Sequence, residues 1–215
     1  PAGLAEISTS GELLRLFPHI AGLRDIEGIA HVQGDVFAVV EEASNRVRWL
    51  QVPAQGAPRL LNRPPLQLPE ANFANLGLEG LAWDAAARRL LLVQERWPTR
   101  VLSVGDDGVA QASAIETEGH LEASDLSSIE RDPRSGHVLL LSDESATVYE
   151  HAATGELLAR LPLQAGQHGL SSAVPQAEGM ALDDQGRLYI VSEPNLFYRF
   201  ERGAAASAQK KISVD

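Results

Sequence analysis

The 215-residue chain has no cysteine, which excludes disulfide bonds and thiolate metal ligands. It also has no apolar stretch near the roughly 18 residues that a membrane-spanning helix needs. Its first residues, PAGLAEIS, have neither the basic nor the apolar segment of a secretory signal. These absences indicate a cytoplasmic protein or a mature, trimmed form. A chain without cysteine fits a reducing cytosol and a bacterial periplasm equally well.

Positive charge is also scarce. The chain has 18 Lys and Arg against 29 Asp and Glu, and its formal net charge is −11. DNA, RNA and anionic membrane surfaces repel such a body, so they are excluded as expected partners. The acidic excess keeps the protein soluble or places carboxylates around a cation, and the positions of the acids distinguish these two uses.

Helical periodicity is almost absent, and a repeated motif takes its place. An acidic residue precedes glycine at the start of an apolar run in DIEGIAH, GLEGLAWD and QAEGMALD, and an altered copy reads DLSSIERD. The equivalent position is occupied in turn by Glu27, Glu79, Ser127 and Glu178. These copies lie 52, 48 and 51 residues apart. A period near fifty indicates a repeat architecture.

Each repeat contains about four short strands. A turn follows each motif, and then come the apolar runs VFAVV, LLLV, VLLL and LYIV. Such runs suit strands that are buried on both faces. Each run is followed by an acid, and this second set is Glu42, Glu95, Asp143 and Glu193. Four strands per repeat predict an all-β fold, a β-propeller of four-stranded antiparallel blades. A two-sheet sandwich is the alternative, but it does not explain a motif repeated in register.

The strands predict five blades in one domain over residues 1–203, followed by a flexible tail at 204–215. The predicted blades cover about 1–18, 26–70, 78–120, 126–165 and 177–201. The first blade is incomplete, because only its last two strands have counterparts in the sequence. We therefore expect this chain to lack roughly 25–40 residues at its N-terminal end. The tail or a partner chain would be the alternative way to fill the gap.

Both acidic sets are expected at one end of the central channel, because antiparallel pairing brings the end of strand two beside the start of strand one. Hard oxygen ligands in a flexible ring favour Ca²⁺ over Mg²⁺ or Zn²⁺. The predicted ligands are Glu27, Glu79, Glu178 and Glu193, and then Glu42, Glu95 and Asp143. The alternative is structural: the acids accept hydrogen bonds from a neighbouring blade. Arg46 and Arg96 could pair with them, or bind an anionic substrate beside the ion.

The motifs resemble the SdiA-regulated (YjiK-like) family of bacterial β-propellers, over about residues 11–200. The strings LSDES and YIVSEPNLFYRF carry most of this resemblance. It implies a five-bladed propeller and Ca²⁺ binding. It also implies a periplasmic protein, or one anchored to the inner membrane by an N-terminal segment that this chain lacks. Family members begin with a first strand of the SGL-W type, which has no counterpart here. The resemblance extends distantly to phytase-like domains and to lactonases with a channel metal, and it implies no defined reaction.

The sequence thus supports three functions. The first is a calcium-binding scaffold whose channel mouth recognises a small molecule or a protein. The second is a metal-dependent hydrolase of phosphate esters or lactones, in which the cation polarises the scissile group. The third is an interaction protein without metal. His168, in a loop between the last two repeats, is a candidate for a general base.

Overall fold

The computed structural model describes residues 2–68, 77–95, 98–105, 108–117, 122–201 and 212–213. These residues form five antiparallel sheets, one short α-helix (α1, Ala114–Thr117) and one 3₁₀ turn at Glu42–Ser44. No helix within these ranges is long and apolar enough to cross a membrane.

The strands of each sheet follow one another along the chain, with one exception in the second sheet. The first sheet has two strands, β1 (Leu4–Ile7) and β2 (Leu13–Phe17). The second contains β3 (Ile26–Gln33), β4 (Val36–Glu41), β5 (Arg46–Gln51), β6 (Arg59–Leu60) and β7 (Leu66–Gln67). In this sheet both β6 and β7 pair with β5, at its two ends.

Three four-stranded sheets complete the fold. The third contains β8 (Leu78–Asp84), β9 (Arg89–Gln94), β10 (Arg100–Val104) and β11 (Ala110–Ala112). The fourth contains β12 (Ser128–Arg131), β13 (Val138–Ser142), β14 (Thr147–His151) and β15 (Leu157–Pro162). The fifth contains β16 (Ala177–Leu182), β17 (Leu188–Ser192), β18 (Leu196–Phe200) and β19 (Ile212–Ser213). The four repeated motifs therefore fall at the first strands of the four larger sheets.

The first strands lie side by side around a centre. Strand β3 contacts β8, β8 contacts β12, and β12 contacts β16. Glycine permits the close approach, because a Cβ at Gly28 would lie 3.1 Å from the Gly80 α-carbon of the next sheet. A Cβ at Gly80 would likewise lie 2.9 Å from the α-carbon of Ser128. The glycine of the motif thus allows neighbouring first strands to meet.

Apolar side chains fill the space between successive sheets. The apolar runs predicted as doubly buried strands form β4, β9, β13 and β17, and most of their side chains are buried. One core cluster joins the second and third sheets, the next joins the third and fourth, and another joins the fourth and fifth. Residues before β3 pack the first sheet on the second, with Ile20 and Leu23 buried beside Val39 and Leu50. The fold is a propeller-like arrangement of four antiparallel blades and a two-stranded sheet.

Candidate metal centre at the channel mouth

The mouth is built by one backbone hydrogen bond that recurs in three sheets. The N–H of Glu42 donates to the carbonyl of Asp25 at 3.1 Å, and the N–H of Glu95 donates to Gly77 at 3.0 Å. In the last sheet Glu193 donates to Gln176 at 3.1 Å. Each bond joins the residue after the second strand to the residue that lies two positions before the motif's acidic position. Both acidic sets consequently lie at the same end of the first strands.

A cavity of about 1180 Å³ opens at this end, between the fifth sheet and the first two. Seven acidic residues line it: Glu27, Glu79, Glu95, Asp125, Asp143, Glu178 and Glu193. No lysine or arginine lines it within the part of the chain that the structure describes. Within these ranges the cavity lining is therefore rich in carboxylate oxygens and contains no lysine or arginine.

Three carboxylates converge at one side of this mouth. Asp25, Glu27 and Glu42 each offer an oxygen, and these oxygens lie within 4.8 Å of one another. Asp25 and Glu27 are exposed, and Glu42 is half-buried. Among the described residues, none of the three side chains has a hydrogen bond or an ion pair. The three carboxylates are held together without any partner that offsets their charge.

This donor set fits Ca²⁺. Calcium binds oxygen ligands at about 2.4 Å, so an ion between two oxygens 4.8 Å apart contacts both. The cluster contains only carboxylate donors, whereas Zn²⁺ prefers histidine or cysteine ligands. With one oxygen from each residue, the three carboxylates fill three of the six to eight positions that Ca²⁺ takes, which leaves room for water or another ligand.

Gly77 joins a fourth carboxylate to this group. A Cβ on Gly77 would lie 2.7 Å from Oε1 of Glu42 and would overlap Oε1 of Glu79. The carboxylates of Glu42 and Glu79 therefore share the space beside the bare α-carbon of Gly77. Gly77 thus leaves room for two carboxylates, whereas Gly28 and Gly80 leave room for a neighbouring strand.

The mouth raises the pKa of its carboxyl groups. Burial, followed by the charges of Glu27, Glu42, Glu95 and Glu178, raises the pKa of Glu79 to about 7. Burial and neighbouring acids also raise the pKa of Glu27, of Glu42 and of Glu178 above their usual range. Each of these carboxylates is destabilised by the others, so the mouth gains free energy by taking up protons or a cation.

The altered repeat has serine at the motif's acidic position and ties two neighbouring sheets together at the mouth. Ser127 is buried and donates through its hydroxyl to the carbonyl of Ala177 at 2.6 Å. Asp143 accepts the N–H of Ala177 at 3.0 Å. Both bonds tie the fourth sheet to the fifth. Asp143 therefore accepts a hydrogen bond from a neighbouring blade, which is the structural role that the sequence left open for the acids.

Asp125 is a buried acid that the sequence analysis did not select. Its carboxylate accepts hydrogen bonds from the Ser142 hydroxyl and from the N–H groups of Asp143 and Glu144, at 3.0 and 3.2 Å for the two N–H groups. Asp25 occupies the same position in the first copy of the motif and lies in the cluster of three carboxylates. Aspartate occurs two positions before the motif's acidic position in two of the four copies, and this partial recurrence was the sequence signal for both residues.

The sequence left two roles open for Arg46, and the structure pairs it with Glu41, the buried acid next to Glu42, instead of with the second acidic set. Its Nε lies 2.6 Å from Glu41, which also accepts the N–H of Arg24 at 3.0 Å. Arg46 therefore leaves Glu42 without a guanidinium partner among the described residues. Arg96 lies outside the described residues. His168 lies in an exposed turn and does not line the cavity.

With this geometry established, comparisons identify the family. The profile of the SdiA-regulated family matches residues 1–201. The chain belongs to the SdiA-regulated family. This assignment confirms the resemblance carried by the repeated motifs and covers nearly the whole sequence.

Solved structures share the fold at low identity. The chain is similar to a Bacteroides caccae protein of unknown function, with TM-score 0.51 and 16% identity over 98% of this chain and 69% of that one. A nidogen/laminin complex gives TM-score 0.57 and 15% identity over 94% and 68%. Virginiamycin B lyase from Staphylococcus aureus gives a TM-score of 0.56 and 12% identity, over 99% of this chain and 63% of the lyase chain. Identities this low show the propeller fold alone.

Proposed function

We propose that this SdiA-regulated propeller binds Ca²⁺ at its channel mouth and acts as a calcium-dependent binding or scaffold protein. The observation that carries the proposal is the cluster of Asp25, Glu27 and Glu42, whose oxygens lie within 4.8 Å of one another and form no ion pair among the described residues. The bound ion offsets the repulsion between these carboxylates and organises the mouth for a small molecule or a protein.

Glu79 and Glu178 extend the site beyond the three clustered acids. Glu79 shares the space beside Gly77 with Glu42, and Glu178 lies on the same cavity wall with Glu193. Glu95 lies at the equivalent position in the third sheet and lines the same cavity. These residues act as further ligands, directly or through water, or recognise cationic groups of whatever docks at the mouth.

The two-stranded sheet is the outer half of a fifth blade in this proposal. Strands β1 and β2 pack on the second sheet as an outermost strand pair would, through the buried residues Ile20 and Leu23. The family resemblance supports a place in the periplasm or on the periplasmic face of the inner membrane. Calcium sites with millimolar affinity suit compartments outside the cytoplasm.

Calcium titration by calorimetry tests the proposal, after dialysis against EDTA and then into metal-free buffer. The double variant Asp25→Asn/Glu42→Gln removes two of the three clustered charges while keeping the side-chain shapes. We expect it to lower the affinity for Ca²⁺ by at least about tenfold, since each carboxylate is a direct ligand. Glu156→Gln, at an exposed acid in a distant turn, is the matched control and should bind as the wild type does. The absence of calcium binding to the wild type would disprove the proposal and favour an interaction protein without metal.

A metal-dependent hydrolase is the second candidate, and the exposure of the cluster favours it. Asp25 and Glu27 face the solvent beside the cavity, so an ion held there keeps coordination positions open to a substrate. Hydrolysis of phosphate monoesters and lactones, measured with Ca²⁺ and with EDTA, tests this activity. Turnover that requires Ca²⁺ and disappears in Asp25→Asn/Glu42→Gln would establish it, and calcium binding without turnover would leave the scaffold function.

A further inference from the structure

Glu41 is a buried acid that lies directly before Glu42 of the three-carboxylate cluster. It is 2% exposed, and Oε1 of its carboxylate accepts the N–H of Arg24 at 3.0 Å. Its other oxygen, Oε2, accepts Nε of Arg46 at 2.6 Å and the Ser44 hydroxyl at 3.4 Å. Donors of the protein therefore engage both oxygens of Glu41, and this residue does not line the cavity.

The hydrogen bond from Arg24 fixes the backbone that carries Asp25. Asp25 has a φ of 52°, in the left-handed region that residues other than glycine rarely adopt. Such a conformation persists only where the surrounding contacts determine it. On one side the N–H of Arg24 is bonded to Glu41, and on the other the carbonyl of Asp25 accepts the N–H of Glu42 at 3.1 Å. Glu41 and Glu42 thus hold the backbone of Asp25 from both sides.

The fourth sheet builds the equivalent site with the two roles exchanged. Asp125 corresponds to Asp25, and Ser142, the last residue of β13, corresponds to Glu41, the last residue of β4. Asp125 is 2% exposed, and its carboxylate accepts the Ser142 hydroxyl and two N–H groups of the following turn. In the second sheet the longer side chain of Glu41 takes the buried position, and Asp25 is exposed. The buried carboxylate therefore comes from the aspartate in one sheet and from the strand end in the other.

We propose that Glu41 is the positioning residue of the calcium site, because it takes the buried position and directs the carboxylate of Asp25 to the mouth. The inference rests on the proposed function, in which Asp25 is a ligand of the ion. It also explains where Arg46 lies. The guanidinium of Arg46, with that of Arg48 at 3.6 Å, compensates the buried charge of Glu41 and leaves the charges of the cluster for the cation.

This arrangement makes one repeat different from the others. The four copies combine the residue two positions before the motif's acidic position with the last residue of the second strand as follows: Asp25 with Glu41, Gly77 with Gln94, Asp125 with Ser142, and Gln176 with Ser192. All four strand-end residues are buried. Only the first copy combines an aspartate with a long acidic side chain at the strand end. The pair of Asp25 and Glu41 thus determines that the ion binds beside the second sheet.

Calcium titration of two variants, at a temperature where both are folded, tests the positioning role. Glu41→Ala removes the acceptor of the Arg24 N–H, and we expect the dissociation constant for Ca²⁺ to rise at least about tenfold, as for other residues that orient a metal ligand. Glu41→Gln keeps an oxygen for this N–H, and Arg46 is 34% exposed and can turn to the solvent. Its affinity should stay within about threefold of the wild type. A Glu41→Gln variant as weak as Glu41→Ala would mean that only the charge matters, and would overturn the positioning role.

A double variant tests whether Glu41 acts through Asp25. In an Asp25→Asn background, Glu41→Ala should weaken Ca²⁺ binding by less than about a further twofold, because the ligand that Glu41 positions is already lost. Fully additive losses would contradict the inference.

Asp84→Ala is the matched control for a general loss of stability. It removes a largely buried carboxylate that pairs with Arg131 at 3.0 Å, at the end of β8 opposite the mouth. The variant should be less stable than the wild type and should bind Ca²⁺ with the same affinity. A loss of affinity as large as that of Glu41→Ala would assign the effect to stability and overturn the inference.

Hydrogen exchange without metal separates the inference from the proposed function. In EDTA the amide of Arg24 should exchange at least about tenfold faster in Glu41→Ala than in the wild type or in Glu41→Gln. Equal exchange in all three proteins would overturn the role of Glu41, whatever the calcium result. A wild type that binds Ca²⁺ no more tightly than Glu41→Ala would overturn the inference alone. A wild type that binds no Ca²⁺ would overturn the proposed function and the inference with it.

Discussion

Glu130 is a carboxyl group at a position where the other three first strands carry alanine, namely Ala30, Ala82 and Ala181. Burial raises its pKa to about 7, although hydrogen bonds from the backbone N–H groups of Arg131 and Leu182 act in the opposite direction. The bond from Leu182 crosses from the fifth sheet to the fourth. Glu130 is thus a titratable group at the interface between two blades.

The raised pKa of Glu130 makes the stability of the fold depend on pH. Because the folded pKa exceeds the unfolded value of 4.5, the stabilisation is complete below that value and is lost as pH rises toward 7. Glu130→Gln should therefore increase the free energy of unfolding at pH 8 by about 1–2 kcal/mol, a figure reduced for the partial exposure of the carboxyl. At pH 4 the variant and the wild type should be equal. Urea unfolding at both pH values measures this, and an equal difference at both would contradict the account.

Gly77 tests how tightly the mouth positions its acids. It has no positive φ, so alanine is compatible with its backbone, but the added Cβ would displace the carboxylates of Glu42 and Glu79. We expect Gly77→Ala to weaken Ca²⁺ binding roughly tenfold, about 1.4 kcal/mol, without removing any charge. Calorimetry measures this affinity. A variant that binds Ca²⁺ as tightly as the wild type would show that these two carboxylates do not hold the ion together.

The sequence could predict an individual acid of the mouth only where acids recur at the same position of the repeat. The alignment selected Glu27 and Glu42, which lie in the cluster of three carboxylates, because acids recur at both positions in the repeat. It did not select Asp25, whose equivalents in the other repeats are Gly77, Asp125 and Gln176. Pairing of Arg46 with Glu41 was also beyond the sequence, because adjacent acids on a strand end point in different directions.

At the scale of the structural element, Asp125 fixes the turn that follows β13. Its buried carboxylate accepts the Ser142 hydroxyl and two backbone N–H groups of that turn. Asp125→Ala leaves these donors without their partner, which should lower the free energy of unfolding by about 2–4 kcal/mol. Asp184→Ala, at an exposed turn position, should change it by less than about 0.5 kcal/mol. Chemical denaturation of both variants measures the difference, and equal values would disprove this role of Asp125.

The strands themselves were predictable because each apolar run is short and bounded by turn residues. All four runs form second strands, since only a doubly buried strand tolerates apolar side chains on both faces. The extra strand β7 was not predicted, because a two-residue pairing such as Leu66–Gln67 with β5 has no periodicity to detect.

For the whole molecule, the propeller fold was predictable from the repeat and is confirmed by the sheets. The number of five blades stays a prediction, because the described residues form four larger sheets and a first sheet of two strands. The sequence also indicated an incomplete first blade, but it did not show which side chains the gap would expose. The structure shows them: Ile29 and Val191 are 42% and 43% exposed, whereas Leu81 and Leu141 at the equivalent positions are 4% and 0% exposed.

Because the first blade is incomplete, equivalent residues of the repeat should contribute unequally to the free energy of unfolding. Leu81→Ala should lower the free energy of unfolding by about 2–4 kcal/mol, because Leu81 is buried between two sheets. Ile29→Ala at the equivalent position should cost less than about 1 kcal/mol, since Ile29 is 42% exposed. Urea unfolding provides both values. A cost at Ile29 as large as that at Leu81 would contradict the exposure of Ile29.

Thermal unfolding of the whole protein tests the central claim, that the mouth is a calcium site. The protein is first treated with EDTA, and its unfolding temperature is then measured in metal-free buffer, with Ca²⁺ and with Mg²⁺. A ligand that binds only the folded state raises this temperature in proportion to the logarithm of its concentration once the site is saturated. We predict such an increase with Ca²⁺, a smaller one with Mg²⁺, and neither in Asp25→Asn/Glu42→Gln. An unfolding temperature that does not change with either ion would contradict the account and make the acids of the mouth structural.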